Sequence, residues 1–307
     1  MTDGAIVRAL HHVALRTADA DEAAERWKDL WSLRDAPGEP GTRRLRCTGE
    51  PYGLELLTAS TPGHDHTAFE LAQRVSLEDA AARLASLGVE HAHGHESLRF
   101  ADPEGYGIEL VPYVEPADRR PYVARTGGDA LAAAPRRVGH ANMLVSDARA
   151  LSSFYVDALG LRISDWIGDG AVWLRSGAVH HDLAMLEKSP THFHHVAFEL
   201  VDIAQMREVL DHVAQRGRWV AWGPGRHAMA QNLFSYVRMP EEDCFVELYC
   251  DMEILPDDHT PRAWPDDVHS SNAWGTLPPR TYFRFDAESV RIEREQLINL
   301  GLEFVPA

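Results

Sequence analysis

Along this chain the apolar positions change period at regular intervals, from strand-like alternation to helical spacing and back. One unit opens on Leu10-His11-His12-Val13-Ala14-Leu15, passes Asp19-Ala20-Asp21-Glu22, and continues with Ala23, Trp27, Leu30 and Trp31 at helical spacing. A second opens on His64-Asp65-His66-Thr67-Ala68-Phe69 and runs through Ser76-Leu77-Glu78-Asp79 to Ala80, Leu84 and Leu87, stopped by Gly88. A third opens on Val138-Gly139-His140-Ala141-Asn142-Met143, then Ser146-Asp147, and places Leu151, Phe154, Tyr155 and Leu159 before Gly160. The fourth opens on Phe193-His194-His195-Val196-Ala197-Phe198, with Asp202 and Gln205 ahead of Met206, Val209, Leu210 and Val213. Polar caps in front and glycine behind predict a helix in each unit. The short apolar runs that follow, such as 171–174 and 183–186, predict strands.

Four strand–helix–strands units result, at 6–60, 64–113, 136–188 and 192–250. They group into halves 1–113 and 136–250, separated by a linker over 114–135 rich in Pro, Arg, Gly and Ala. An internal repeat of this kind sets the fold before any single residue does. From 251 to 307 the repeat is lost, and prolines make the tail loop-like apart from an amphipathic helix near 288–300.

With 307 residues there is room for roughly two domains, each able to build a core. Acidic residues outnumber basic ones 47 to 30, a net charge of −17 that disfavours nucleic acid and anionic membranes as partners. Cys47, Cys244 and Cys250 form no framework, as expected of a reducing interior. No apolar run approaches a membrane span, and the first residues do not read as a signal peptide, so the expectation is a cytoplasmic protein.

The repeat also carries chemistry. His12, His66 and Glu109 in the first half recur as His140, His195 and Glu247 in the second, at offsets of 128, 129 and 138. Two imidazoles and one carboxylate are the ligand set of a mononuclear non-haem Fe(II) site. Alternation supports the reading. Val196, Phe198 and Leu200 share one face of their strand while His195 takes the other. His140 likewise stands opposite Ala141, Met143 and Val145, and Glu247 opposite Val246 and Leu248.

With these motifs the chain resembles the vicinal oxygen chelate superfamily, and within it the type I extradiol ring-cleaving dioxygenases. The motifs are Val138-Gly139-His140, His181-Asp182, Phe193-His194-His195-Val196-Ala197-Phe198, Gly223-Pro224-Gly225-Arg226-His227, Val246-Glu247-Leu248-Tyr249 and Asn272-Ala273-Trp274-Gly275. The resemblance implies an α+β fold of four βαβββ modules, paired into two domains with cup-like mixed sheets, and a C-terminal extension covering the active site. It implies that His140, His195 and Glu247 bind Fe(II), with Mn(II) as the alternative, and that O2 is a co-substrate. It assigns acid–base and hydrogen-bonding roles to His181, His227 and Tyr236. His181 rather than His180 matches, because it adjoins Asp182 and lies 14 residues before His195. The implied reaction is cleavage of a catecholic ring beside its vicinal diol, by a homo-oligomer acting on a small molecule. A glyoxalase- or isomerase-type metalloenzyme and a non-catalytic aromatic-ligand-binding protein remain the alternatives.

The first copy lacks the matching acid–base set: Tyr52 stands 14 residues before His66, and Phe100 takes the position of Tyr236. By resemblance the N-terminal domain is a metal-free, non-catalytic remnant. For substrate, Trp173, Phe193 and Trp222, with Asn142, are expected to wall a pocket for a neutral, substituted or bicyclic catechol. His269 and Ser270, before Asn272-Ala273-Trp274-Gly275, bring no adjacent arginine pair.

Overall fold

The computed structural model describes residues 4–48, 50–115, 134–284 and 286–301; most of the predicted linker lies outside them. Each half folds around one large mixed sheet, and the two sheets repeat one topology. In the first half the strands are β1 (Val7–Thr17), β2 (Arg34–Ala36), β3 (Thr42–Arg46), β4 (Leu54–Thr58), β5 (Gly63–Leu71), β6 (His91–His93), β7 (Leu98–Ala101) and β8 (Gly107–Val111). Their order is β2-β3-β4-β1-β5-β8-β7-β6. The second half supplies β9 (Arg137–Val145), β10 (Arg162–Ile167), β11 (Ala171–Arg175), β12 (Leu183–Glu187), β13 (His192–Glu199), β14 (Val220–Arg226), β15 (Leu233–Met239) and β16 (Cys244–Cys250). They are ordered β14-β15-β16-β13-β9-β12-β11-β10, the first order read from its other end, with β17 (Arg262–Trp264) added at the edge.

Helices cross one face of each sheet where the caps predict them. α1 (Ala20–Trp31) starts at Asp19, whose side chain accepts from the backbone of Asp21 and Glu22. α2 (Leu77–Ser86) has a reciprocal capping box between Ser76 and Asp79. α3 (Ala148–Leu159) runs from Asp147 to Gly160, whose φ of 71° is the left-handed turn that glycine makes without strain. α4 (Ile203–Ala214) begins at Asp202. There Gln205 caps Val201 N, one residue further out than a capping box would have it. Leu87, expected to face the core, lies beyond the end of α2 and is 46% exposed.

One apolar core runs through both halves. Trp27 and Trp31 of α1 pack on Phe198 of β13, with ring centroids 6.3 and 6.0 Å apart. The hydroxyl of Tyr106 donates to the carbonyl of Leu144 at 2.6 Å, and that of Tyr155 to Asp102 at 2.8 Å. The predicted tail is more ordered than its composition suggests. Besides α7 (Ala287–Asn299), it forms the short helices α5 (Val268–Ser271) and α6 (Arg280–Phe283), and β17 pairs in parallel with β10.

Candidate metal centre and its cavity

Register brings the three candidate ligands together. β13 lies between β9 and β16, and Ala197 of β13 is the partner of both His140 and Glu247. His195, two residues earlier, points to the same face. The small side chain of Ala197 leaves space that three longer ones converge upon. His140 Nε2 stands 2.9 Å and His195 Nε2 3.0 Å from Glu247 Oε2. All three side chains are buried. Gly139 permits the arrangement: a Cβ there would come within 1.8 Å of the Tyr249 hydroxyl, which lies against β9 beside His140.

The donor set fits a divalent ion. His195 Nε2 is buried at 3.0 Å from Glu247 Oε2, yet makes no properly directed hydrogen bond. Its lone pair therefore meets the carboxylate around a shared point rather than across a bond. The tautomer follows from a chain of acceptors. The carbonyl of Tyr282 can only accept, so His194 Nε2 donates to it, at 2.7 Å. A neutral His194 then has a bare Nδ1, which accepts from His195 Nδ1 at 2.7 Å and leaves His195 Nε2 unprotonated. Burial holds His194 well below the ordinary histidine value, and holds His195 at about 4 against the pull of Glu247. Burial pushes the carboxyl of Glu247 up, but His140 and His195 outweigh it and keep the group well below the carboxylate range.

Around the cluster opens a cavity of about 490 Å³, lined by His181, His227 and Tyr236 as well as by the three ligands. His181 is oriented by a relay. His180 Nε2 donates to Asp165 Oδ2 at 3.1 Å, its Nδ1 accepts from His181 Nδ1 at 3.0 Å, and His181 thereby keeps a bare Nε2. Burial, then the neighbouring His140, hold His181 well below the ordinary histidine value. His227 Nδ1 donates to the carbonyl of Ser271 at 2.5 Å, so its Nε2 accepts the hydroxyl of Tyr236 at 3.1 Å. Burial, then Glu247, raise Tyr236 well above its usual value, so it remains a phenol and a donor.

Trp173, Trp222 and Asn142 line the cavity, and Trp222 stacks on Tyr236 at 5.6 Å and 11°. Phe193 does not. A β-bulge between Phe193 and His195 breaks the alternation, so Phe193 turns to the core and stacks on His64 at 4.5 Å. Asp182, the neighbour that marks His181 in the sequence, accepts from the backbone and hydroxyl of Ser176. The partners sequence reasoning missed are His180, Asp165 and His194. Their signal was present as paired histidines, but the anchors Asp165 and Tyr282 stand on other elements, 15 and 88 residues away, and only the fold brings them near. The extension closes the cavity with Ser271, Leu277, Pro278 and Phe283.

In the first half His12, His66 and Glu109 converge in the same register, with Ala68 opposite both His12 and Glu109. The residue opposite Glu109 on β7 is Arg99, as Tyr236 is opposite Glu247 on β15. Arg99, not Phe100, is therefore the counterpart of Tyr236. The sequence spacing misses it by one, and Phe100 faces the core.

Comparison with known proteins agrees with this architecture. Metapyrocatechase 2 of Cupriavidus necator is 29% identical over 306 residues, covering 91% of this chain and 92% of the relative. The Mn(II)-bound glyoxalase of Novosphingobium aromaticivorans superposes with a TM-score of 0.78 at 23% identity, covering 90% of this chain and 94% of that one. Homoprotocatechuate 2,3-dioxygenase of Arthrobacter globiformis superposes with a TM-score of 0.78 at 22% identity, covering 92% and 93%. Residues 137–240 match the Glyoxalase/Bleomycin resistance protein/Dioxygenase superfamily, a span that includes His140 and His195.

Proposed function

We propose that the chain is an extradiol-type dioxygenase that cleaves a catecholic ring with O2 beside its vicinal diol, with Fe(II) held by His140, His195 and Glu247. The observation that carries this reading is the convergence, in one cavity, of the His-His-Glu cluster with His181 and the His227–Tyr236 pair. The metal, when bound, would acidify the hydroxyls of a chelated diol and mediate electron flow from the ring to O2. Mn(II) suits the same ligands, and the Mn(II)-bound relative keeps that choice a matter for metal analysis.

The chain's own residues supply the proton handling. His181 offers a bare Nε2 to accept a proton, and its relay through His180 to Asp165 keeps that nitrogen facing the cavity. The Tyr236 hydroxyl rests on His227 Nε2, and by rotating it can turn its single proton to a substrate oxygen as negative charge develops there. Trp222, Trp173 and the extension exclude water from this group.

The cavity also bears on the substrate. A volume of about 490 Å³ exceeds what a bare catechol fills and suits a substituted or bicyclic ring. Among the charged residues lining it away from the cluster, Glu187, Asp266 and Asp267 outnumber Lys188, so a carboxylated side chain would meet repulsion. A neutral catechol is the substrate class we favour. Three buried free cysteines support a reducing, cytoplasmic setting. Among the described residues no helix is long and apolar enough to cross a membrane.

The test is to load metal-free protein with Fe(II) without air, add a panel of catechols, admit O2, and follow its uptake with the yellow ring-cleavage product. Neutral substituted catechols should turn over faster than homoprotocatechuate. Iron bound with no O2 uptake across the panel would sink the reading. Activity with Zn(II), Ni(II) or Co(II) and no O2 would favour proton-transfer chemistry of the glyoxalase kind.

A further inference from the structure

We propose that His12, His66 and Glu109 bind a second divalent transition-metal ion, in a site that stabilises the N-terminal half and carries no catalysis. The three ligand atoms already surround a point. His66 Nε2 stands 3.1 Å from Glu109 Oε2, and His12 Nε2 stands 3.2 Å from His66 Nε2 and 3.5 Å from Glu109 Oε2. Metal–ligand bonds of about 2.0–2.2 Å place tetrahedral ligands roughly 3.2–3.6 Å apart, close to the observed triangle. All three side chains are buried on one sheet face.

The hydrogen-bond inventory calls for a cation at that point. The Asp65 carboxylate lies 2.8 Å from His66 Nδ1 and can only accept, so the ring proton sits there. A neutral His66 then aims a lone pair at Glu109 Oε2, which is also an acceptor. His12 Nε2 adds a second nitrogen, the third ligand atom of the cluster. A carboxylate orienting the far nitrogen of a histidine is the usual support of a metal ligand. Two imidazoles and a carboxylate suit Zn(II), Fe(II) or Co(II) better than Mg(II) or Ca(II).

The surroundings explain why no reaction follows. Leu54 pairs with Val13 as Leu183 pairs with Ala141, so Tyr52 occupies the place of His181, with its ring 4.7 Å from that of His12. Arg99 donates to Glu109 Oε1 at 2.8 Å and occupies the second carboxylate oxygen. A phenol and a guanidinium stand where the second half has its acid–base pair.

The experiment counts metal, and its outcome does not depend on the dioxygenase reading. The metal-free full chain is loaded with Zn(II), freed of excess, and analysed by mass spectrometry for metal per chain. Wild type should hold close to two equivalents, His66→Ala and Glu247→Ala about one each, and the double variant almost none. Glu109→Gln keeps the size of the side chain in case His66→Ala does not fold, and should weaken the second equivalent at least tenfold in chelator competition. One equivalent in wild type, lost in Glu247→Ala and untouched by both N-terminal variants, overturns the proposal and assigns the cation to a proton on His66.

Discussion

His195 reaches the cluster with a bare Nε2 because a backbone carbonyl about ninety residues away dictates its tautomer through His194. His194 is thus a positioning residue, and its contribution is separable from packing. The ring lies between Phe245 and Tyr282, so His194→Phe keeps the packing but deletes both the acceptor for His195 Nδ1 and the donor to the Tyr282 carbonyl. We expect this variant to fold with a loss of about 1–3 kcal/mol from the unpaired Tyr282 carbonyl, and to bind Fe(II) about 10–100-fold more weakly in chelator competition, the usual cost of losing a ligand's supporting partner. Unchanged affinity would mean that the Tyr282–His194–His195 chain does not orient the ligand.

Among the elements, β17 shows how the extension is held over the cavity. Asp165 of β10 is fully buried and accepts from Arg262 and Trp264 of β17 and from His180. Burial raises its pKa, but the bonds from His180, Arg262 and Trp264 outweigh this and hold it at about 2. A carboxyl whose folded pKa lies below its unfolded value, about 3.9, stabilises the fold above that value. The contribution is lost as pH falls towards about 2. Asp165→Asn leaves Arg262, about a third exposed and still paired with Glu253, with one counter-charge fewer and should cost about 1–2 kcal/mol. Chemical denaturation at pH 7 measures that loss, and in the variant the fall in stability between pH 4 and 2 should shrink. The same change frees His180, so turnover should suffer with stability.

At the scale of the whole molecule the two halves are tied by Glu50, which accepts from Val138 N at the start of the second sheet and from Cys47 N in the first half. Burial raises Glu50 to about 7 against those two bonds. Here the folded pKa lies above the unfolded value of about 4.3, so stability is full below that value and declines as pH rises through about 7. Melting temperature should therefore drop between pH 5 and 8. Glu50→Gln keeps an acceptor for Val138 N, carries no charge, and should flatten that part of the profile. A profile unchanged by the substitution would place the pH dependence elsewhere.

The repeat, its four helices and the identity of both His-His-Glu sets were legible in the sequence. Each depends on local periodicity and on side chains whose direction alternation prescribes: His140 and Asn142 on one face, Ala141 and Met143 on the other. What lies between strands was not. The bulge that sends Phe193 to the core adds a residue to one strand alone, and its trace in the sequence is no different from regular alternation. That Arg99, and not Phe100, faces Glu109 is a matter of register, which hydrogen bonding between strands decides. The relays His194–Tyr282 and His180–Asp165–Arg262 join residues up to about a hundred positions apart. By itself the sequence determined which side chains could bind a metal and on which strands they stand. Only the tertiary structure decided which nitrogen each histidine presents, because a tautomer is set by the partner across space.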